Sequence, residues 1–220
     1  GPAGPAVRPP RPLPYRPSLP RMRGVHRKPE VRNDKMIPLE AWGLSCMSIG
    51  FLVDEETPMI WRGPMVMGAL EQMMGQVSWG ALDVLVVDMP PGTGDAQLSL
   101  CQTVPLDGGV IVTTPQEASL GVVRKGIAMF NKVNVPILGI VENMSYYTTP
   151  TGDRIELFGH GGGKAEAARQ NAPFLGEIPI FMEIREGGDS GQPIVVTRPD
   201  SAAGRAFVDV AIHVRKQLMK

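Results

Sequence analysis

The chain has 220 residues, and its 43% hydrophobic content is enough for one large α/β core. Its 22 basic and 22 acidic residues cancel, which argues against a nucleic-acid or membrane-surface binder and leaves any phosphate recognition to local groups. Cys46 and Cys101 lie far apart and form neither a disulfide framework nor a CxxC metal pair, which fits a reducing, cytoplasmic setting. No run of about 18 apolar residues suggests a membrane span, and the N-terminus has no signal pattern.

Residues 1–14 are rich in Pro, Gly, Ala and Arg without periodicity and read as a disordered leader. Gly1 stands where Met would open a chain, so a fragment or a mis-set start upstream of Tyr15 is expected. From 15 to 38, Pro17, Pro20, Pro29 and Pro38 interrupt regular structure, while Arg21, Arg23, Arg27 and Lys28 keep it solvated; this reads as a long surface connection. The run 44–53 (LSCMSIGFLV), bounded by Gly43 and Asp54, suits a buried strand.

Over 62–77, Met65, Ala69, Met73 and Val77 recur every fourth residue and Pro64 falls in the first turn, which predicts a helix packed on a sheet. The nearby Met59, Met65, Met67, Met73 and Met74 read as flexible packing rather than thioether ligands. The almost continuously apolar 82–88 (LDVLVVD) predicts a strand buried on both faces of a parallel sheet, its terminal acid at the chemical end. Helix and strand then alternate: helix 96–103, strand 108–113, helix 117–134 and strand 136–142. A glycine-rich turn at 159–163, helix 164–170, strand 174–178 and an amphipathic helix 201–217 complete the chain. The alternation predicts a parallel sheet with right-handed crossovers in one domain over 15–220. Phe207, Val208, Ala211, Val214 and Leu218 give the last helix an apolar stripe, read as core packing ahead of membrane attachment.

The segment 84–95 delivers Asp88 from an apolar strand into a loop with two prolines, Gly92 and Gly94. An acid at a strand tip can hold the water shell of Mg²⁺, and a following glycine can turn its N–H onto a γ-phosphate oxygen. An isolated apolar run ending in Asp is equally a turn or cap; the full DMPPGTGD string disfavours that reading.

DMPPGTGD (88–95) resembles the Walker B and switch II segment of the Mrp/ApbC family, iron–sulfur cluster carrier ATPases related to MinD and the nitrogenase iron protein. The resemblance continues through YRPSLPRM (15–22), KMIPLEAWGL (35–44), IWRGPMV (60–66), TTPQE (113–117), VPILGIVENMSY (135–146), FGHGGG (158–163) and FLGEIPI (174–180). It implies a doubly wound, mostly parallel P-loop NTPase fold. It also implies a cytoplasmic homodimer that binds ATP and Mg²⁺, hydrolyses ATP slowly and delivers iron–sulfur clusters to apo-protein clients, with no nucleic acid or membrane as partner. Asp88, Gly92 and Asp95 would be its catalytic group, with Asp88 on the metal; Gly94, Asn143 and Pro179 would contact the nucleotide.

Three departures qualify that expectation. No GKGGVGK[ST]-like phosphate loop occurs, so backbone donors, a lysine and a Mg²⁺-binding hydroxyl are missing along with a first strand, and this chain alone is expected to be inactive as an ATPase. Thr149 and Gly152 stand where many family members place the CPxC cysteines that share a [4Fe–4S] cluster between two subunits. Val122 and Phe181 replace acids usual in the family. Cys46 and Cys101 read as core thiols and His160 as a turn residue without a catalytic role. The rival reading is a non-catalytic NTPase-like interaction module.

Overall fold

Proline at the second position of a helix costs little, because its missing N–H would have no partner there. Leu19–Arg23 accordingly forms a short helix, α1, closed by the left-handed Gly24 inside the stretch expected to be all connection. The computed structural model describes residues 18–52, 63–89 and 94–219. The expected leader lies outside them, as do Met59, Arg62 and Gly92.

Two small antiparallel hairpins follow. Strands β1 (Val31–Arg32) and β2 (Lys35–Met36) turn through Asn33 and Asp34, and β3 (Leu39–Ala41) and β4 (Leu44–Cys46) turn through Trp42 and Gly43. All four turn residues have φ between 50° and 73°, the geometry of a two-residue hairpin loop whose twist matches its strands. The strand expected over 44–53 therefore ends at Cys46: Ser48 then accepts a hydrogen bond from Gly50 N and opens a 3₁₀ turn, Ile49–Phe51. Leu39, Ala41, Cys46 and Phe51 make a local core with Leu19 and Val25.

Helix α2 (Gly63–Gly75) forms where the apolar spacing predicts it. Its expected stripe is shallow, since Met65 is exposed, Met73 half-buried and Val77, just past the helix, buried. Helix α3 (Asp95–Thr103) packs beside it.

The strand expected at 82–88 does not form. No described strand pairs with it, and Val84 and Val86 are 63% and 85% exposed. A strand is stable through the ladder bonds and side-chain contacts its neighbours supply, so an apolar run without them stays extended and bare.

The main core lies in the second half. Strand β5 (Gly109–Thr113) leads through α4 (Glu117–Lys132) to β6 (Ile137–Thr148). Strand β7 (Arg154–Ile155) folds back on β6, and α5 (Gly162–Arg169) leads to β8 (Phe174–Ile180). Strands β5 and β8 pair with β6 in parallel on opposite edges and β7 antiparallel at its end, so the sheet is mixed. Two helices that the sequence reading left out, α6 (Met182–Ser190) and α7 (Ile194–Thr197), precede the serine-capped α8 (Ala202–Leu218).

On one face Ile111 and Ile140 pack with Ile127 of α4 and Ala167 of α5. On the other, Val141, Leu175 and Ile178 pack under Phe207, Val210 and Val214; of the expected stripe of α8, Phe207 and Val214 are core contacts, while Val208, Ala211 and Leu218 are exposed. Both faces of β6 are thus covered, whereas Val110 and Val112 leave one face of β5 exposed. Burying a side chain such as Leu175 contributes about 2 kcal/mol.

Candidate functional site

Open α/β sheets take ligands beyond the carboxyl ends of their parallel strands, where loops and helix N-termini converge. Here that edge carries Thr113 to Gln116 after β5, Glu142 to Ser145 in β6 and Ile178 to Pro179 in β8. Asn143 sits opposite Ile178 in the ladder, and Pro179 is the next residue along β8, so the two expected nucleotide contacts lie on adjacent strands at the same edge of the sheet. Met144 turns at φ 54°, and the register shifts between Asn143 and Tyr147. A left-handed non-glycine residue inside a strand is locally strained and marks where pairing gives way.

The first acid in this arrangement is one that the sequence reading did not assign. Glu142 is fully buried; its Oε2 accepts a 2.6 Å hydrogen bond from Gly163 N at the start of α5, and its Oε1 has no partner. A carboxylate at a helix N-terminus interacts favourably with the helix dipole. The signal was present, because 136–142 ends in an acid after an apolar run, as 82–88 does. Gly162 lies so close to the turn after β5 that a Cβ there would come 2.3 Å from the Pro115 carbonyl oxygen. On that turn, Thr114 Oγ1 donates to Ser119 Oγ at 2.7 Å, tying it to α4.

A half-buried ion pair joins α4 and α5. Arg124 donates to Glu166 Oε2 at 2.9 Å and also pairs with the exposed Glu117. Burial pushes the Glu166 carboxyl up, but hydrogen bonds from Gln170 and Arg124 and the nearby charges of Arg124 and Arg169 together outweigh it and hold the group below the ordinary carboxylate range. Hydrogen bonding to Arg124 lowers Glu117 as well.

The remaining expected site residues lie in the first half. Asp88 is exposed at the end of the unpaired segment, Gly94 caps α3 and Asp95 is its first residue; Gly92 is outside the described residues. No described hydrogen bond or ion pair links Asp88 to the sheet edge.

The positions matching the family's cluster ligands form the tip of the β6–β7 hairpin. Thr149 Oγ1 and Thr151 Oγ1 are 2.8 Å apart, Thr151 Oγ1 donates to Asp153 Oδ2 at 2.7 Å, and Asp153 N donates to Thr149 Oγ1 at 3.0 Å. Gly152 holds φ at 90°, a conformation costly for any residue with a Cβ. The tip thus presents oxygens engaged with one another and no soft ligand, which does not fit a [4Fe–4S] cluster. Both thiols lie elsewhere, in separate cores, and among the described residues no group of three or more His, Cys, Asp or Glu could hold a metal ion. Behind the tip, Arg154 stacks over Tyr146 at 3.7 Å and lies 2.9 Å from His160 Nδ1, which gives His160 a structural role.

The family model of NUBPL iron-transfer P-loop NTPases (ParA) matches residues 15–215. The chain is 51% identical over 208 residues to the iron–sulfur cluster transfer protein NUBPL of Dictyostelium discoideum, covering 93% of this chain and 64% of that protein. It is also 51% identical, over 206 residues, to the Arabidopsis thaliana iron–sulfur protein required for NADH dehydrogenase, mitochondrial, covering 93% and 66%. The chain therefore spans just under two thirds of the length of these relatives. A nucleotide-binding protein from Archaeoglobus fulgidus, solved in complex with ADP, superposes with a TM-score of 0.69 at 36% identity, over 84% of this chain and 72% of the other.

Proposed function

The chain belongs to the family of NUBPL iron-transfer P-loop NTPases, and from that premise we propose that the whole protein is an ATP-binding, slowly ATP-hydrolysing homodimer that delivers iron–sulfur clusters to apo-proteins. Within it, Asn143 and Pro179 form the base side of the nucleotide site, and Asp88 orders the water shell of Mg²⁺. Gly92, Gly94 and Asp95 form the loop that responds to the γ-phosphate, a contact that orders such loops in one state and releases them in the other. The observation that carries the reading is the pairing of Asn143 with Ile178 beside Pro179, at the edge of a parallel sheet where such folds take nucleotides.

This chain contributes the base side and the metal-side acid, but its sequence has no glycine-rich phosphate loop. Most of the triphosphate grip is thereby missing, so ATP, ADP and adenosine should bind with similar, weak affinity, with Kd roughly 0.1–1 mM. Calorimetric titration of each ligand into the chain, and into Asn143→Ala and Asp88→Ala, tests this. We expect Asn143→Ala to weaken all three ligands and Asp88→Ala to leave adenosine unchanged. If a folded chain binds none of them at millimolar concentration, the nucleotide reading fails and the non-catalytic interaction module takes its place.

Among the described residues no helix is long and apolar enough to cross a membrane. Our reading places the protein in the cytoplasm, whose reducing conditions suit two buried free thiols. The mitochondrion, which the name of the Arabidopsis relative gives for that protein, is the second compartment to test by fractionation.

A further inference from the structure

A [4Fe–4S] cluster is ordinarily held by four thiolates, and a shared site on two copies of one chain needs two exposed cysteines from each. Two copies of this chain do contain four cysteines, but not where they could meet. Cys46 is 6% exposed in β4, packed with Leu39, Ala41 and Phe51. Cys101 is 8% exposed in α3, packed with Met129 and Val135. Burial pushes both thiols up, away from the thiolate a metal requires. The exposed hairpin tip is closed by its own threonine and aspartate oxygens around a left-handed glycine.

We propose that residues 1–220 do not themselves ligate an iron–sulfur cluster, and that any cluster they help to deliver is held by thiolates outside this chain. The proposal rests on the cluster-delivery reading only for the identity of the cargo. It makes the chain a working partner of thiolates supplied from outside it rather than a vessel for the cluster.

The test is anaerobic reconstitution of the isolated chain with ferrous iron, sulfide and a thiol reductant. Gel filtration and iron and sulfide determination follow, with a cluster-carrying family member reconstituted alongside as control. Circular dichroism confirms that every sample is folded. We expect the control to take up its cluster and the chain to keep less than about 0.1 iron per copy, with no iron–sulfide absorbance, whether wild type or Cys46→Ser/Cys101→Ser. Stoichiometric iron and sulfide on the wild type overturns the proposal in either of two ways. If the double variant loses it, the core thiols leave their sites to become ligands; if the variant keeps it, the ligands are oxygen or histidine. Nucleotide affinity is read separately, so failure of nucleotide binding sinks the functional reading without deciding this one, and the reverse also holds.

Discussion

Residues 82–88 and 137–142 are both apolar runs ending in a carboxylate, and they differ in their neighbours. The second lies between β5 and β8, with helices over both faces, and buries Ile140, Val141 and Glu142 almost completely. The first has no described ladder partner and leaves Leu82, Val84, Leu85 and Val86 exposed. Apolarity therefore sets the capacity to become a strand, and the partners decide whether a strand forms.

The largest expected contrast is in amide hydrogen exchange without ligand. Ile140 and Val141 should be protected near the global stability of the fold, and Val84 to Val86 hardly at all, a difference of at least about a thousandfold in rate. Equal protection of the two segments would break the comparison. Next in size, Leu175→Ala should cost about 3 kcal/mol in urea unfolding, because Leu175 is 1% exposed beneath α8. Val86→Ala should stay within about 0.5 kcal/mol in the same assay, since that side chain has little to lose.

Glu166→Ala should cost about 2 kcal/mol near neutral pH by removing the buried carboxylate that joins α4 and α5. Its folded pKa lies below the unfolded one, so its stabilisation is present above the unfolded value of about 4.3 and is lost as pH falls through the folded value. Urea midpoints of wild type and variant should therefore converge on acidification; a gap that persists in acid would mean that packing, not charge, joins these helices. Somewhat smaller than the Glu166 effect, Gly162→Ala should cost about 1–2 kcal/mol, because its Cβ must displace the turn at Pro115.

The second half of the fold was legible because each of its apolar segments has the partner that the alternation implies. Strands β5 and β8 and helices α4, α5 and α8 fall close to their expected bounds, β6 runs on past its expected end at Glu142 to Thr148, and α6 escaped because Gly187 and Gly188 break its apolar spacing. The first half was less legible. There Ser48 opens a 3₁₀ turn that cuts the expected strand short at Cys46, and Leu82 to Asp88 depend on pairing that lies outside their own sequence. Within the site, the resemblance pointed to Asn143 and Pro179, which lie on the adjacent strands β6 and β8 at the sheet edge. It did not point to Glu142, whose burial and bond to Gly163 depend on how α5 folds over the sheet.

The most direct test of the nucleotide assignment is hydrogen exchange of the chain with and without millimolar Mg·ADP, resolved by residue. The account predicts slower exchange at Asn143, Met144 and Ile178, with little change at the hairpin tip 149–153. Unchanged exchange at the sheet edge, or protection confined to the cleft lined by Glu183, Gly187 and Arg198 between α6 and α7, would contradict it.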